Sequence, residues 1–214
     1  MYDTIIFDLD GTLLNTLEDL CNSVNYALTS CGYECRTLEE IRCFVGNGVR
    51  KLIERALPCE VGAEEFEKVF KLFREHYKVH CNDLTGPYDG IMELLGELKS
   101  RGYKMGIASN KMKTAVLALN DLYFKGLIQG AAGVDDNITP KPNPQMVNLM
   151  LNELESDKEH TLYVGDSQVD VETARNTGLD MVTVLWGFRT RDELLEAGAK
   201  NFIEHPMELL KYLN

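Results

Sequence analysis

The stretch that most constrains this chain is the apolar run Ile5-Ile6-Phe7, which leads into Asp8-Leu9-Asp10-Gly11-Thr12. Such a run is typical of a parallel strand buried on both faces. Because alternate side chains on a strand share a face, Asp8 and Asp10 would repel each other unless a cation or a proton intervenes. The alternative is a strand followed by an ordinary acidic turn, since Asp and Gly are common turn residues.

Composition limits the partners of the chain. Acidic residues outnumber basic ones by 34 to 22, and the net charge of -12 argues against binding to nucleic acid or to an anionic membrane. No apolar segment approaches the roughly eighteen residues that cross a bilayer. The chain also enters its first predicted strand without a basic region or a cleavage site. We therefore predict a cytoplasmic protein.

Two regions of different character follow the first strand. Residues 15–85 carry apolar residues at helical spacing, with a capping box at Thr37-Leu38-Glu39-Glu40 and a break at Gly46-Asn47-Gly48. The remainder alternates helical and strand-like segments. The sequence thus predicts an α/β core of residues 1–14 and 86–214 with a doubly wound, Rossmann-like parallel sheet. Residues 15–85 are predicted to form an inserted all-helical cap domain.

Polar groups follow three of the predicted core strands. These strands end near Phe7, Ala108 and Val164, and Lys141 lies in a proline-rich turn between the last two. Ligands of such sheets bind outside the carboxyl ends of the strands, near the point where the strand order reverses. The sequence therefore predicts one site at this edge.

The acidic groups at this edge suit magnesium and phosphoryl transfer. Mg²⁺ prefers oxygen ligands such as the carboxylates of Asp8 and Asp166, with Asp170 as a further ligand or an orienting residue. Asp8, ionised and in line, would attack phosphorus and form an aspartyl phosphate. Asp10 would protonate the departing alkoxide and later activate water.

The remaining groups would bind the phosphoryl oxygens. Lys141 supplies positive charge, and Ser109 together with backbone N–H groups near Asn110 and Gly11 can donate hydrogen bonds.

Each group also has a simpler interpretation. Ser109 would serve as a helix N-cap, Lys141 as an exposed turn lysine, and the two later aspartates as loop and first-turn acids.

The chain resembles the haloacid dehalogenase superfamily, specifically its phosphatases with a helical cap inserted after the first strand. The motifs that carry the resemblance are Asp8-Leu9-Asp10-Gly11-Thr12, Ser109 after a strand, Pro140-Lys141-Pro142, and Gly165-Asp166-Ser167-Gln168-Val169-Asp170. The resemblance spans the whole chain. It implies that Asp8 is the nucleophile and a magnesium ligand, and that Asp10 is the general acid/base with its backbone carbonyl on the metal. It further implies phosphate binding by Ser109 and Lys141, and metal binding by Asp166 with support from Asp170.

Two further stretches, residues 44–53 and 186–191, look most like phosphoglycolate phosphatases and are shared in part by pyrophosphatase and sugar-phosphate relatives. Asn47, Gly48 and Arg50 could bring backbone amides and a cation to a small carboxylate. A hinge turn with a solvated arginine is the alternative. We expect a monomer or homodimer that hydrolyses a small phosphorylated metabolite, most simply 2-phosphoglycolate. The rivals are a β-phosphoglucomutase-like phosphotransferase, a pyrophosphatase and a non-catalytic sensor of a phosphate ligand.

Overall fold

The structure is a computed structural model that describes residues 1–213. The chain divides into two compact units, Met1–Leu14 with Pro87–Asn214 and Asn15–Gly86. After the first strand, β1 (Thr4–Phe7), the chain passes into the second unit within β2 (Leu14–Asn15) and leaves it within β3 (Gly86–Pro87). Gly86, which the sequence analysis assigns to the first unit, lies in the second.

The second unit is helical. Its helices are α1 (Leu17–Ser30), α2 (Leu38–Phe44), α3 (Val49–Ala56) and α4 (Ala63–His80). The expected capping box is present, since the Thr37 side chain accepts from the Glu40 N–H and the Glu40 side chain from the Thr37 N–H. Asp19 of α1 is buried and accepts hydrogen bonds from the backbone N–H groups of Leu84 and Thr85. This carboxylate ties the start of α1 to the chain that follows α4.

The first unit is built on a six-stranded sheet. Its other strands are β4 (Lys104–Met112), β5 (Gly130–Val134), β6 (Thr161–Gly165), β7 (Asp180–Val184) and β8 (Phe202–Ile203). Their order is β5-β4-β1-β6-β7-β8, and every neighbouring pair is parallel. The helices between the strands are α5 (Ile91–Ser100), α6 (Lys113–Tyr123), α7 (Gln145–Glu153), α8 (Gln168–Thr177) and α9 (Arg191–Ala197).

Alternate residues of the central strands enter two different hydrophobic cores. Phe7 and Ile107 pack in a core with apolar residues of α5 and α6, whereas Ile6 and Tyr163 pack in a core with α7 and part of α8. Because side chains alternate between the faces of a sheet, helices cover both faces. The predicted fold class, a doubly wound parallel sheet with an inserted helical region, is confirmed.

The register brings the ends of three strands to one edge. Phe7 lies opposite Ile107 on one side and Val164 on the other. The residues that follow these positions therefore emerge side by side, Asp8 from β1, Ser109 from β4 and Asp166 from β6.

One local expectation, the end of the strand near Ala108, differs from the structure. β4 continues to Met112 through a register shift against β5 after Ala108, so Ser109 and Asn110 lie inside the strand. Before β5, the N–H groups of residues 127 and 128 donate to the Phe124 carbonyl and close a turn, so the strand begins at Gly130. The last helix is a 3₁₀ helix, Pro206–Tyr212.

Candidate active site

Asp8 lies directly after β1, where its backbone N–H donates to the Val164 carbonyl at 2.8 Å. The side chain is buried, and its Oδ1 accepts a hydrogen bond from Lys141 Nζ at 2.8 Å. Burial, with contributions from Asp170 and Asp10, raises the pKa of the Asp8 carboxyl to about 7, although Lys141 opposes the shift. No hydrogen bond of the described residues reaches Oδ2, so this oxygen is available to a ligand.

Lys141 is almost completely buried, and its ammonium group contacts three oxygens. Nζ lies 2.8 Å from Asp8 Oδ1, 2.8 Å from Asp170 Oδ1 and 3.0 Å from Tyr163 Oη. Against the effect of burial, the Asp170 and Asp8 carboxylates raise the pKa of Lys141 well above its usual value. The lysine is therefore charged, and its three contacts fix the direction of the side chain.

The Asn110 side chain holds the backbone of Lys141. Its Oδ1 accepts from the Lys141 N–H at 2.7 Å, and its Nδ2 donates to the Lys141 carbonyl at 3.0 Å. The sequence analysis predicted that the backbone near Asn110 binds phosphate. The side-chain contacts fasten the lysine loop to β4, and phosphate binding by the backbone near Asn110 stays a prediction.

Asp170 lies in the first turn of α8, and both of its oxygens are occupied. Oδ1 accepts from Lys141 Nζ and from Tyr163 Oη at 2.9 Å, while Oδ2 accepts from Ser167 Oγ at 2.6 Å and from the Ser167 N–H. Although burial opposes the effect, Lys141 and these hydrogen bonds lower the pKa of Asp170. The contacts favour an orienting role for Asp170 over direct metal binding.

Asp166 is buried at the end of β6. Its Oδ2 accepts from the Phe188 N–H at 2.7 Å, and its Oδ1 lies 3.5 Å from Thr12 Oγ1. Burial together with the Asp170 and Asp8 charges raises the pKa of Asp166 well above its usual value. A carboxylate in this position needs a cation before it can ionise readily.

Glycines allow other backbone segments to approach Asp166 closely. A Cβ atom on Gly11, which has φ of 90°, would lie 2.3 Å from Asp166 Oδ2. A Cβ atom on Gly187 would lie 2.4 Å from Asp166 Cβ. Neither contact is possible, so both positions require glycine.

Three buried carboxylates form a group that could hold a cation. One oxygen from each of Asp8, Asp166 and Asp170 lies within 4.8 Å of the others. Carboxylate oxygens are the ligands that Mg²⁺ prefers. The donor set therefore fits magnesium, with Asp8 and Asp166 as the carboxylates less occupied by protein contacts.

The structure places the other predicted core residues as follows. Asp10 is close enough to raise the pKa of Asp8, and its Oδ1 accepts from Lys111 Nζ at 2.9 Å. Ser109 is buried on β4, and its Oγ accepts from the Lys111 N–H at 3.2 Å. Gly11 lies against Asp166.

The predicted specificity residues belong to the helical unit. Gly48 is the N-cap of α3 with φ of 84°. Asn47 Oδ1 accepts from Arg55 Nη2 at 2.7 Å. Arg50 forms an exposed ion pair with Glu67, and its guanidinium carbon lies 4.6 Å from the centre of the Phe66 ring. Within this unit, Arg50 thus has protein partners on α4.

Sequence reasoning missed four residues of the site. They are Lys111, Tyr163, the Phe188 backbone N–H, and Arg189, which is buried and donates to Gln168 Oε1 at 2.9 Å. Lys111 follows Ser109 and Asn110 directly in the sequence, so its position gave a signal. The sequence predicts only that Tyr163 lies in a strand. A backbone N–H donor such as that of Phe188 cannot be predicted from residue types.

Comparisons with known proteins identify the family. Residues 5–184 match the sequence profile of the haloacid dehalogenase-like hydrolases. A phosphoglycolate phosphatase of Mesorhizobium japonicum is 34% identical over 191 residues, which cover 87% of this chain and 84% of that protein. An N-acetylmuramic acid 6-phosphate phosphatase of Pseudomonas aeruginosa is 28% identical, with 98% and 94% covered.

A solved structure from Lactobacillus delbrueckii superposes with a TM-score of 0.96 at 32% identity, covering 99% of this chain and 98% of that one. The chain belongs to the haloacid dehalogenase-like hydrolase family.

Proposed function

We propose that this protein is a magnesium-dependent phosphatase that hydrolyses 2-phosphoglycolate through an aspartyl phosphate on Asp8. The observation that carries the proposal is the group of three buried carboxylates, two of which, Asp8 and Asp170, pair with the buried Lys141. Such a group is unfavourable in a purely structural role, because each buried charge must be compensated. Membership in the hydrolase family and the phosphatases among its relatives support the same reaction class.

In the first step, Asp8 attacks the phosphorus atom. Its Oδ2, free of protein hydrogen bonds among residues 1–213, is the attacking oxygen, while Lys141 holds Oδ1. As the bond from phosphorus to the ester oxygen breaks, the departing oxygen takes a proton from the Asp10 carboxyl. The alcohol leaves, and Asp8 carries the phosphoryl group.

In the second step, water replaces Asp8 on phosphorus. The Asp10 carboxylate takes a proton from the water, whose oxygen attacks the phosphorus atom, and Asp8 departs as a carboxylate. Lys141 and Ser109 would stabilise the phosphoryl oxygens in both steps. Mg²⁺, held by Asp8 and Asp166 with the Asp10 carbonyl, would cancel the repulsion between carboxylates and phosphate.

Substrate choice is proposed to lie in the helical unit, Asn15–Gly86, acting as a cap. Asn47, Gly48 and Arg50 are the proposed specificity residues. For Arg50 this requires exchange of Glu67 for a substrate carboxylate, a change available to an exposed ion pair because such pairs contribute little stability. The cytoplasmic location and the monomeric or homodimeric state stay predictions.

The proposal is tested by phosphate release from 2-phosphoglycolate with and without Mg²⁺. The panel includes N-acetylmuramic acid 6-phosphate, because a relative acts on it, and pyrophosphate. Glucose 1-phosphate with product analysis tests for a mutase. The Asp8→Asn variant is expected to lose at least about a thousandfold in kcat, whereas Asp121→Asn, an exposed aspartate of the same unit, should retain activity. Full activity of folded Asp8→Asn would exclude the covalent route.

A second outcome concerns the substrate alone. If N-acetylmuramic acid 6-phosphate gives a higher kcat/KM than 2-phosphoglycolate, the reaction class stands and the proposed substrate is wrong. If no compound on the panel is hydrolysed in the presence of Mg²⁺, the proposed phosphatase function on these substrates is wrong, and the rival of a non-catalytic sensor gains support.

A further inference from the structure

Lys111 is a second lysine buried beside an aspartate of the site, and the proposed mechanism gives it no task. Its side chain is 1% exposed, and Nζ lies 2.9 Å from Asp10 Oδ1. The Asp10 side chain is 16% exposed. Burying an ammonium group is unfavourable unless it is paired. The buried lysine is thus paired with Asp10, and its ammonium group holds Oδ1 of that carboxylate.

We propose that Lys111 is a positioning residue that fixes the Asp10 carboxylate for proton transfer, an inference that rests on the phosphatase function proposed above. Lys111 lies on β4 and Asp10 in the segment after β1, two neighbouring strands of the sheet. The lysine thus reaches Asp10 from a rigid element and not from a loop.

The contact leaves the other oxygen of Asp10 for chemistry. The only side-chain hydrogen bond found for Asp10 among residues 1–213 is the one from Lys111 to Oδ1. Without that bond, the side chain could turn among its staggered rotamers. With it, Oδ2 has one direction, which a proton donor in a transition state requires, since small displacements cost large factors in rate.

The consequence differs between substrates. When the ester oxygen leaves 2-phosphoglycolate as a strongly basic alkoxide, the bond from phosphorus breaks with a proton supplied by Asp10. When p-nitrophenyl phosphate reacts, the departing phenolate is weakly basic and leaves without that proton. A misplaced Asp10 should therefore slow the first reaction far more than the second.

The first experiment measures kcat/KM of Lys111→Met for both esters in saturating Mg²⁺. The value of kcat/KM depends on the steps up to release of the alcohol or phenolate. It does not depend on the later hydrolysis of the aspartyl phosphate. We expect a loss of about 100-fold for 2-phosphoglycolate, the lower range of general acid catalysis, and less than about 5-fold for p-nitrophenyl phosphate. Lys113→Met is the matched control, since Lys113 forms an exposed ion pair with Asp135 and should leave both ratios unchanged.

The second experiment follows p-nitrophenolate in the first turnover. Asp10 is also the base for the second step, so Lys111→Met should release one equivalent of p-nitrophenolate rapidly and then turn over slowly. The wild-type protein should show a smaller burst. A structural defect that merely lowers the active fraction would shrink the burst instead.

A double-mutant cycle completes the test. If Lys111 acts through Asp10, Lys111→Met should cause less than about a threefold further loss in an Asp10→Asn background. Lys111→Arg, which keeps the charge, should recover part of the activity. The retained activity of Lys111→Met on p-nitrophenyl phosphate shows that this variant folds.

Equal losses on the two esters, a gain in activity, or additive losses in the cycle would each overturn the inference. If the wild-type protein hydrolyses p-nitrophenyl phosphate but not 2-phosphoglycolate, only the proposed substrate fails. Glycerol phosphate then replaces it as the alkyl ester.

Discussion

Replacing Tyr163 by Phe tests whether the buried charge network around Lys141 is held together as the distances indicate. Tyr163 Oη lies 3.0 Å from Lys141 Nζ and 2.9 Å from Asp170 Oδ1, and the side chain is completely buried. The ring packs in the core beneath the site, so Tyr163→Phe removes one oxygen and leaves the packing intact.

The expected effect is larger on stability than on activity. A hydrogen bond to a charged group is worth about 1.5–3 kcal/mol. Lys141 Nζ keeps its contacts of 2.8 Å with the Asp8 and Asp170 carboxylates, so the variant loses only the hydrogen bonds of the Tyr163 hydroxyl. We therefore expect a loss of about 2 kcal/mol in the free energy of unfolding. For a chain of this size the loss corresponds to about 4–8 °C in Tm. Lys141 still faces Asp8, so kcat/KM should fall less than about tenfold.

The assay is urea unfolding followed by the fluorescence of Trp186, the single tryptophan, which lies in the α/β unit. Tyr103→Phe is the matched control, because Tyr103 Oη donates at 3.0 Å to the neutral carbonyl of Leu213. We expect a loss of about 1 kcal/mol for that variant. Equal losses in the two variants, or an unchanged midpoint for Tyr163→Phe, would show that the charges around Lys141 gain nothing from Tyr163.

Three further predictions concern the metal, the substrate and the backbone around the site. With no metal the pKa of Asp8 is about 7, and protons compete with Mg²⁺, so affinity for Mg²⁺ should rise about tenfold from pH 6 to pH 8. The metal-free protein loses stability as pH rises through 7, because the folded state must then release the Asp8 proton. The increase in Tm caused by Mg²⁺ should therefore be larger at pH 8 than at pH 6. Arg50→Gln should raise KM for 2-phosphoglycolate but not for an ester without a carboxylate, whereas Lys51→Gln, from the next exposed ion pair of α3, should change neither. Gly187→Ala should lower stability by about 1–3 kcal/mol and weaken Mg²⁺ binding in calorimetry, because the new Cβ meets Asp166 and must displace it.

The sheet and the placement of the main acids could be predicted from the sequence because they depend on local patterns. Apolar runs followed by polar residues identified β1, β4 and β6, and parallel strands must deliver their carboxyl ends to one edge. Asp8, Asp166, Asp170 and Lys141 accordingly lie together. Helix bounds in the helical unit followed from caps and glycine breaks.

The contacts between distant residues could not be predicted in the same way. The pattern gave no reason for Tyr163 to bind Lys141, or for Asn110 to hold the lysine by its backbone, because both contacts depend on the exact register of neighbouring strands. The register shift in β4 had no sequence signal either, and it moved Ser109 and Asn110 into the strand. Patterns predict which residues reach an edge, whereas side-chain partners depend on distances that only coordinates supply.

The two aspartates of the opening motif have different environments, because each one pairs with a different lysine. Lys141, from the turn before α7, pairs with Asp8, and Lys111, from β4, pairs with Asp10. Carboxylates two residues apart would otherwise share one environment, whereas a nucleophile and a proton donor need different ones. With Asp166 and Asp170 included, the carboxylates still outnumber the lysines, and the buried Arg189 does not make up the difference. The surplus of negative charge is what a divalent cation would cancel, so a dianionic phosphate can approach only when the cation is bound.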